Sequence, residues 1–381
     1  MRHTVLAIFA VLAGACPAAA WAECAKSCEG LRLNEIQTVG TAESYKQRPP
    51  DGILSLIRMV SDKDAQRLDY GEPPLGDQLD AGARSLEFDI AYDPKGGLFK
   101  NPSGASMAGE LLDDGYVAAM SAPGFKVIHV LDIDYRSSCL TLKDCLGQVA
   151  AWLRARKNRA PIVIALHPND ARTPMPGATR PLPFDEAAMD ELDAGIRDAF
   201  PADMLITPDM VQGGAATLRE AVLAHDWPKL AATRGKAMFL LDADAAKVKL
   251  YQGTRRNLEG RAMFVAADEA SPLASFICID DPVKDAARIA AAVKAGFIVR
   301  TRADEDAQEA RAGDGTRRDA AFTSGAQIVT TDFILPDAKI GPYKVSLSDN
   351  PRYTDKSNNF VPLPVLSSAD GASTVQTATT R

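Results

Sequence analysis

The 381-residue chain is poor in histidine, with 4, and poor in aromatic residues, at 6%. It has no Cys-x-x-Cys pair, and its histidines lie apart from its cysteines, which argues against a structural zinc cluster. It has no Gly-x-Ser-x-Gly elbow, so a serine-hydrolase mechanism has no support. No glycine-rich phosphate fingerprint follows the first apolar run, which disfavours an open doubly wound sheet. Past the N-terminus there is no long uncharged apolar run of the kind a transmembrane helix needs. There is no internal repeat. A formal net charge of −7 argues against nucleic acid as a partner, and there is no polybasic patch for anionic membranes.

What is present begins with a leader. Arg2, the apolar stretch Val5–Ala15 and the small-x-small triplet Ala20-Trp21-Ala22 read as a secretory signal peptide over residues 1–22. The triplet before Cys16 is a poor match to a lipoprotein site. Cleavage after Ala22 leaves about 359 residues and a charge of about −8, and points to a secreted or periplasmic protein. That length suits one barrel domain with insertions over residues 23–366. The polar tail, residues 367–381, reads as disordered. Export permits disulfides: Cys24 with Cys28 and Cys139 with Cys145 would each close a small loop, leaving Cys278 as a buried free thiol.

Apolar runs rich in Val, Ile, Leu or Phe alternate with helical periodicity. Strands are expected at Leu33–Thr41, Ala83–Ile90, Lys126–Leu131, Pro161–Leu166, Lys236–Leu241, Arg261–Ala266, Phe297–Thr301 and Ala326–Thr330, with a shorter one at Met204–Ile206. Helices are expected at Gly52–Gln66, Leu142–Arg156, Asp185–Ala199, Leu218–Ala224 and Pro282–Ala295. This alternation predicts an α/β fold, a TIM-type (β/α)8 barrel of parallel strands. Four of the runs end in charged or metal-seeking residues: Arg84–Asp89, Lys126–Asp134, Pro161–Asp170 and Phe297–Asp304. In a barrel those ends form the catalytic rim.

Glu87 and Asp89, two apart on one strand, face the same way and repel unless a cation lies between them; a hard divalent ion fits. The competing reading is structural neutralisation by Arg84 or a nearby lysine. His129, ahead of Asp132 and Asp134, suits a general acid whose tautomer a carboxylate fixes. His167 closes a strand as a metal ligand, an acid/base or a cap. Arg300 and Arg302 share a strand face. Arg302 suits an anionic substrate oxygen, against a plain salt bridge to Asp304, Glu305 or Asp306. His225-Asp226-Trp227 reads as packing.

These segments, with Asn34–Tyr45, Pro74–Asp89, Pro123–Cys145, Arg300–Asp304 and Ser324–Phe333, make the chain resemble the secreted Ca2+-dependent phosphoinositide phospholipase C-like proteins of bacteria and fungi, from about Leu33 to about Tyr353. The resemblance implies a TIM barrel, a phosphodiester substrate and attack by the inositol 2-hydroxyl. Metal and one histidine stabilise the phosphorane, and a second histidine protonates the departing diacylglycerol. Carried over, Glu87 and Asp89 are metal or base carboxylates and His129 the second histidine. Departures fall at Ala42 and Glu43, where the family has His-Asn, at Glu72 in place of a histidine, and at His167 in place of a carboxylate. The expected metal set is Glu43, Glu87, Asp89 and His167, with His129, Glu87 and Arg302 catalytic. Ca2+ is the ion implied, with Mn2+ or Zn2+ favoured by an imidazole ligand. The enzyme implied is a weakened or redirected phosphoric diester hydrolase, expected to be monomeric and to meet a membrane only through its substrate. Two alternatives are a non-catalytic barrel that binds an anionic sugar phosphate or lipid head group, and another barrel hydrolase using the rebuilt site with a transition metal.

Overall fold

Short aliphatic runs buried on both faces are the signature of parallel strands covered by helices. The computed structural model describes residues 30–157, 159–347, 352–354 and 360–362. The leader, Cys24, Cys28 and the tail at 367–381 lie outside the described residues. Eight parallel strands follow one another around a ring: β1 (Ile36–Thr41), β2 (Ser85–Ala91), β3 (Ile162–Pro168), β4 (Ala237–Leu241), β5 (Met263–Val265), β6 (Phe276–Cys278), β7 (Ile298–Arg302) and β8 (Ile328–Thr331). β8 pairs back onto β1, and a single parallel bridge, Ala266 to Phe276, joins β5 to β6. Every residue of β1, β4, β5 and β8 is buried. This is the expected α/β barrel.

Between β1 and β2 the close approach is at Gly40, which registers with Ser85. A Cβ at Gly40 would stand 2.6 Å from the Ser85 carbonyl oxygen, so only glycine fits there.

The helices follow their periodicity. Leu142–Ala155 starts at Thr141, whose hydroxyl accepts from the Asp144 amide at 3.2 Å, and it buries Leu142, Cys145, Leu146, Val149 and Leu153. Cys139 and Cys145 form a disulfide. Glu186–Ala199 is capped by Asp185. The expected helix at Gly52–Gln66 is two, Asp51–Val60 and Asp62–Leu68, separated at Ser61, which caps the second. No helix among the described residues is long and apolar enough to cross a membrane.

Two expectations are corrected. Lys126–Leu131 is not a barrel strand. Only Lys126–Val127 is extended, and it runs antiparallel to the end of β2. The chain then turns, with Asp132 at φ 68. The eighth ring strand is instead Phe276–Cys278, a run that the sequence marks only as the setting of a buried thiol. Cys278 is indeed a free thiol, but half-buried.

Candidate functional site

The site is built from strand ends at one mouth of the barrel. β2 carries Glu87 and Asp89 on the same side, and β3 carries His167 one residue before its end, in register with Asp89. One ligand atom from each of these three residues lies within 4.8 Å of the others. His167 Nδ1 is 3.8 Å from Asp89 Oδ1, and its Nε2 is 3.9 Å from Glu87 Oε2 and 3.0 Å from Asp242 Oδ2. The last contact is an ion pair when the imidazole is charged. Glu87 Oε2 and His167 Nε2 are buried with no hydrogen-bond partner. Asp242, just past β4, escaped notice in the sequence, although Ala237–Leu241 ends in an acid just as the flagged runs do.

Arg84 does not neutralise these acids. It donates to the carbonyls of Leu79 and Ala83 and lies over the Trp152 ring. Arg300 does part of that work: its Nη2 donates to Asp242 at 2.9 Å and its Nη1 lies 3.7 Å from Glu87. Burial raises the Cys278 thiol to about 12, so it stays protonated beside Arg300 and Asp242.

Burial works against a charge on His167, yet Glu87, Asp242 and Asp89 outweigh it and lift the imidazole to about 10. Asp89 is raised to about 6 by burial, against the pull of His167 and His129. Asp242 sits well below the usual carboxylate range: burial opposes this, but Arg300 and His167 prevail. The metal-free mouth therefore holds an imidazolium among carboxylates at neutral pH. A histidine favoured in its charged form stabilises the fold fully below its unfolded value near ~6.5, and that contribution fades as pH climbs toward about 10. Unfolding midpoints of chelated protein should thus fall between pH 7 and 10, and less steeply in His167→Gln; identical slopes would refute the assignment.

Glu43 does not join the metal group. It follows β1 in a left-handed conformation, φ 46, and there its Oε2 accepts from the Tyr70 hydroxyl at 2.6 Å. Its Oε1 is 3.2 Å from His129 Nε2. On the other side His129 Nδ1 is 2.8 Å from Asp134 Oδ2, the carboxylate expected to fix its tautomer. Burial disfavours the imidazolium, but Glu43 and Asp134 hold it well above the ordinary histidine value. Burial likewise opposes ionisation of Glu43, and His129 with Lys46 and Arg302 overrides it, keeping the carboxyl well below its usual range.

Behind this row lies Lys46, fully buried, 3.4 Å from Asp134 and donating to the carbonyls of Leu68 and Tyr70 at 2.8 and 2.7 Å. Tyr45 donates to Asp89 Oδ2 at 2.9 Å. Neither residue stood out in the sequence. Ala42 is 0% exposed and brings only a methyl group to the mouth.

Arg302 binds none of the three neighbouring carboxylates considered for it. Its Nη2 donates to Asp332, just past β8, at 3.0 Å, and its Nε donates to the Asp304 carbonyl at 3.2 Å. Glu72, the other departed position, is 8% exposed, and neither of its carboxylate oxygens has a partner. Of His225-Asp226-Trp227 only the tryptophan packs as expected: Trp227 is buried and donates to the Gly296 carbonyl at 2.9 Å, while His225 and Asp226 are exposed.

Comparison with known proteins bears on this geometry. No curated protein matches the chain. Among solved structures, the calcium-dependent phosphoinositol-specific phospholipase C of a Pseudomonas species, in an apo crystal form, superposes with a TM-score of 0.51 at 14% identity, covering 86% of this chain and 96% of that one. The same enzyme as a myo-inositol complex gives 0.49 at 15% identity, over 80% and 91%. The Ca2+-dependent phosphatidylinositol-specific phospholipase C of Streptomyces antibioticus gives 0.48 at 18%, over 79% and 94%. At these identities the likeness speaks for the barrel alone, and only the first of the three carries it. Residues 31–355 match the family model described as phosphoinositide phospholipase C, Ca2+-dependent, so the chain belongs to that family of phosphodiesterases.

Proposed function

We propose that the chain is an exported, metal-dependent phosphoric diester hydrolase that cleaves the glycerol-side bond of a phosphoinositide-like lipid, with activity weakened or redirected by Ala42, Glu43 and His167. The observation that carries this reading is the gathering of Glu87, Asp89 and His167 at the mouth, beside a histidine backed by Asp134. The donor set fits a divalent ion: two carboxylates and an imidazole, with Glu87 Oε2 and His167 Nε2 buried without a hydrogen-bond partner. Ca2+ is the family's ion, and the imidazole favours Mn2+ or Zn2+. When bound, such an ion polarises phosphoryl oxygens. His129 would give its Nε2 proton to the departing glycerol oxygen, while Asp134 keeps Nδ1 protonated. That requires Glu43 to release Nε2, and this is where we place the weakening. Arg302, tied to Asp332, would stabilise substrate charge at longer range.

The leader at residues 1–22 supports export. The exposed apolar side chains of Met59, Val60, Met107 and Leu111 support contact with a lipid surface by a monomer engaged with its substrate. The test is hydrolysis of phosphatidylinositol in vesicles with Ca2+, Mn2+ or Zn2+. Turnover should appear with at least one metal and fall by about 10²–10⁴ in His129→Ala. Absence of turnover with every metal overturns the reading in favour of the non-catalytic barrel, the alternative that the pairing of Glu43 with His129 supports.

A further inference from the structure

The segment that carries His129 belongs to no barrel strand. Its ladder with β2 covers only Lys126 and Val127. One more main-chain bond follows, from the Ile128 amide to the Asp89 carbonyl at 3.2 Å. The chain then turns, with the Ile133 and Asp134 amides both donating to the Val130 carbonyl. Along this stretch the carbonyls meet side chains of the loop after β3, residues 169–185. Asn169 Nδ2 donates to the Ile128 carbonyl at 3.1 Å and to the His129 carbonyl at 2.8 Å. Thr173 donates its hydroxyl to the Leu131 carbonyl at 2.5 Å, and the Thr179 amide and hydroxyl donate to the Asp132 carboxylate at 2.7 and 3.0 Å. Of these contacts only the Asn169 pair falls on His129 itself. Asn169 is in turn pinned to β2, where its amide donates to the Ile90 carbonyl at 2.7 Å, and it stands two residues past His167.

We propose that Asn169 is a positioning residue for proton transfer: by holding the Ile128 and His129 carbonyls it keeps the His129 ring between Asp134 and Glu43, at a fixed place relative to Glu87, Asp89 and His167. The inference rests on the phosphodiesterase reading above and deepens it. A proton donor displaced by about 1 Å can lose on the order of 10² in rate, so a residue that fixes its backbone matters without touching the substrate. The chemistry of the side chain suits the task. A primary amide has two N–H donors on one nitrogen, and here both are engaged by adjacent carbonyls. Aspartate has the same shape but only accepts when ionised, so at position 169 it would set a charged oxygen against two carbonyl oxygens. Alanine would leave both carbonyls without this donor. A donor role therefore makes both replacements damaging, aspartate at least as much as alanine. A residue that only fills space would tolerate aspartate.

The test reads the His129 ring directly, by proton NMR on the full-length mature chain at pH 7. The Nδ1 proton shared with Asp134 is assigned by its loss in His129→Ala. Its exchange with water, measured by saturation transfer, should quicken at least about tenfold in Asn169→Ala and at least as much in Asn169→Asp. The unfolding midpoint should fall by no more than about 5 °C in either variant. On phosphatidylinositol vesicles both variants should lower kcat by about 10–10² with KM within about twofold of the natural chain. Asn169→Asp should cost nothing further in a His129→Ala background, because its effect passes through that ring. Natural exchange in Asn169→Asp, a full second loss of rate in the His129→Ala background, or collapse of cooperative unfolding in both variants overturns the assignment. The NMR measurement needs no turnover. Quickened exchange in a protein that hydrolyses nothing supports Asn169 as the residue that holds His129 and counts only against the phosphodiesterase reading.

Discussion

Ala42→His combined with Glu43→Asn should raise phosphatidylinositol hydrolysis by on the order of 10²–10³ over the natural chain, the scale of one missing transition-state donor. Position 42 is enclosed at the end of β1, where its amide donates to the Thr331 carbonyl at 3.0 Å and its methyl offers nothing to a phosphorane oxygen. Position 43 blocks a second proton donor, because Glu43 lies 3.2 Å from the His129 nitrogen that would face the leaving group. Asparagine at 43 removes the charge holding His129, and it tolerates the left-handed φ of 46 better than glutamate, whose strain there costs on the order of 1 kcal/mol. Ala42→His alone should recover less, since His129 would remain paired. Measured as kcat/KM in vesicles containing Ca2+, unchanged turnover in the folded double variant would show that these two positions do not limit the reaction.

Metal affinity should rise about tenfold per pH unit between pH 7 and 9. The reason is proton competition: His167 titrates near about 10, and a ring nitrogen must lose its proton before it ligates. Asp89, at about 6, is already ionised over this window and adds no slope. His167→Glu should abolish the slope and, at pH 7, tighten binding by up to about 10³, the ratio of protonated to neutral His167 at that pH. Titration calorimetry with Mn2+ at pH 7, 8 and 9 measures both effects. A natural chain whose affinity ignores pH would mean that His167 is not a ligand, leaving Glu87 to Arg300 and Asp89 to Tyr45.

The barrel was legible because strands buried on both faces carry short runs rich in Val, Ile, Leu or Phe, and seven of the eight ring strands overlap segments where such strands were expected. Phe276–Cys278 is too short to stand out, and the polar Ser275 and Asp280 close it off quickly. Lys126–Leu131 has the same apolar start, but its hydrogen bonds go to the edge of β2 and to a turn, and the local sequence does not record which partner a run will find. The site was legible wherever a side chain projects from a strand, since Glu87, Asp89 and His167 have directions set by the pleat. Glu43 was misassigned because it sits on a loop whose left-handed residue turns the side chain toward His129. Arg302 found Asp332 across the β7–β8 ladder, a pairing that only the register reveals. Asp242 carried the right signal and was overlooked.

The ring is not equally firm all the way round. Six residue pairs stitch β2 to β3, the strands that hold the acidic group and His167, whereas β1 registers with β2 at one pair and a single isolated bridge joins β5 to β6. Opening events should therefore begin at that thin seam, and backbone amides of β5 and β6 should exchange with heavy water sooner than those of β2 and β3. The ring can yield between β5 and β6 while the six-pair ladder keeps Glu87 and Asp89 aimed at His167.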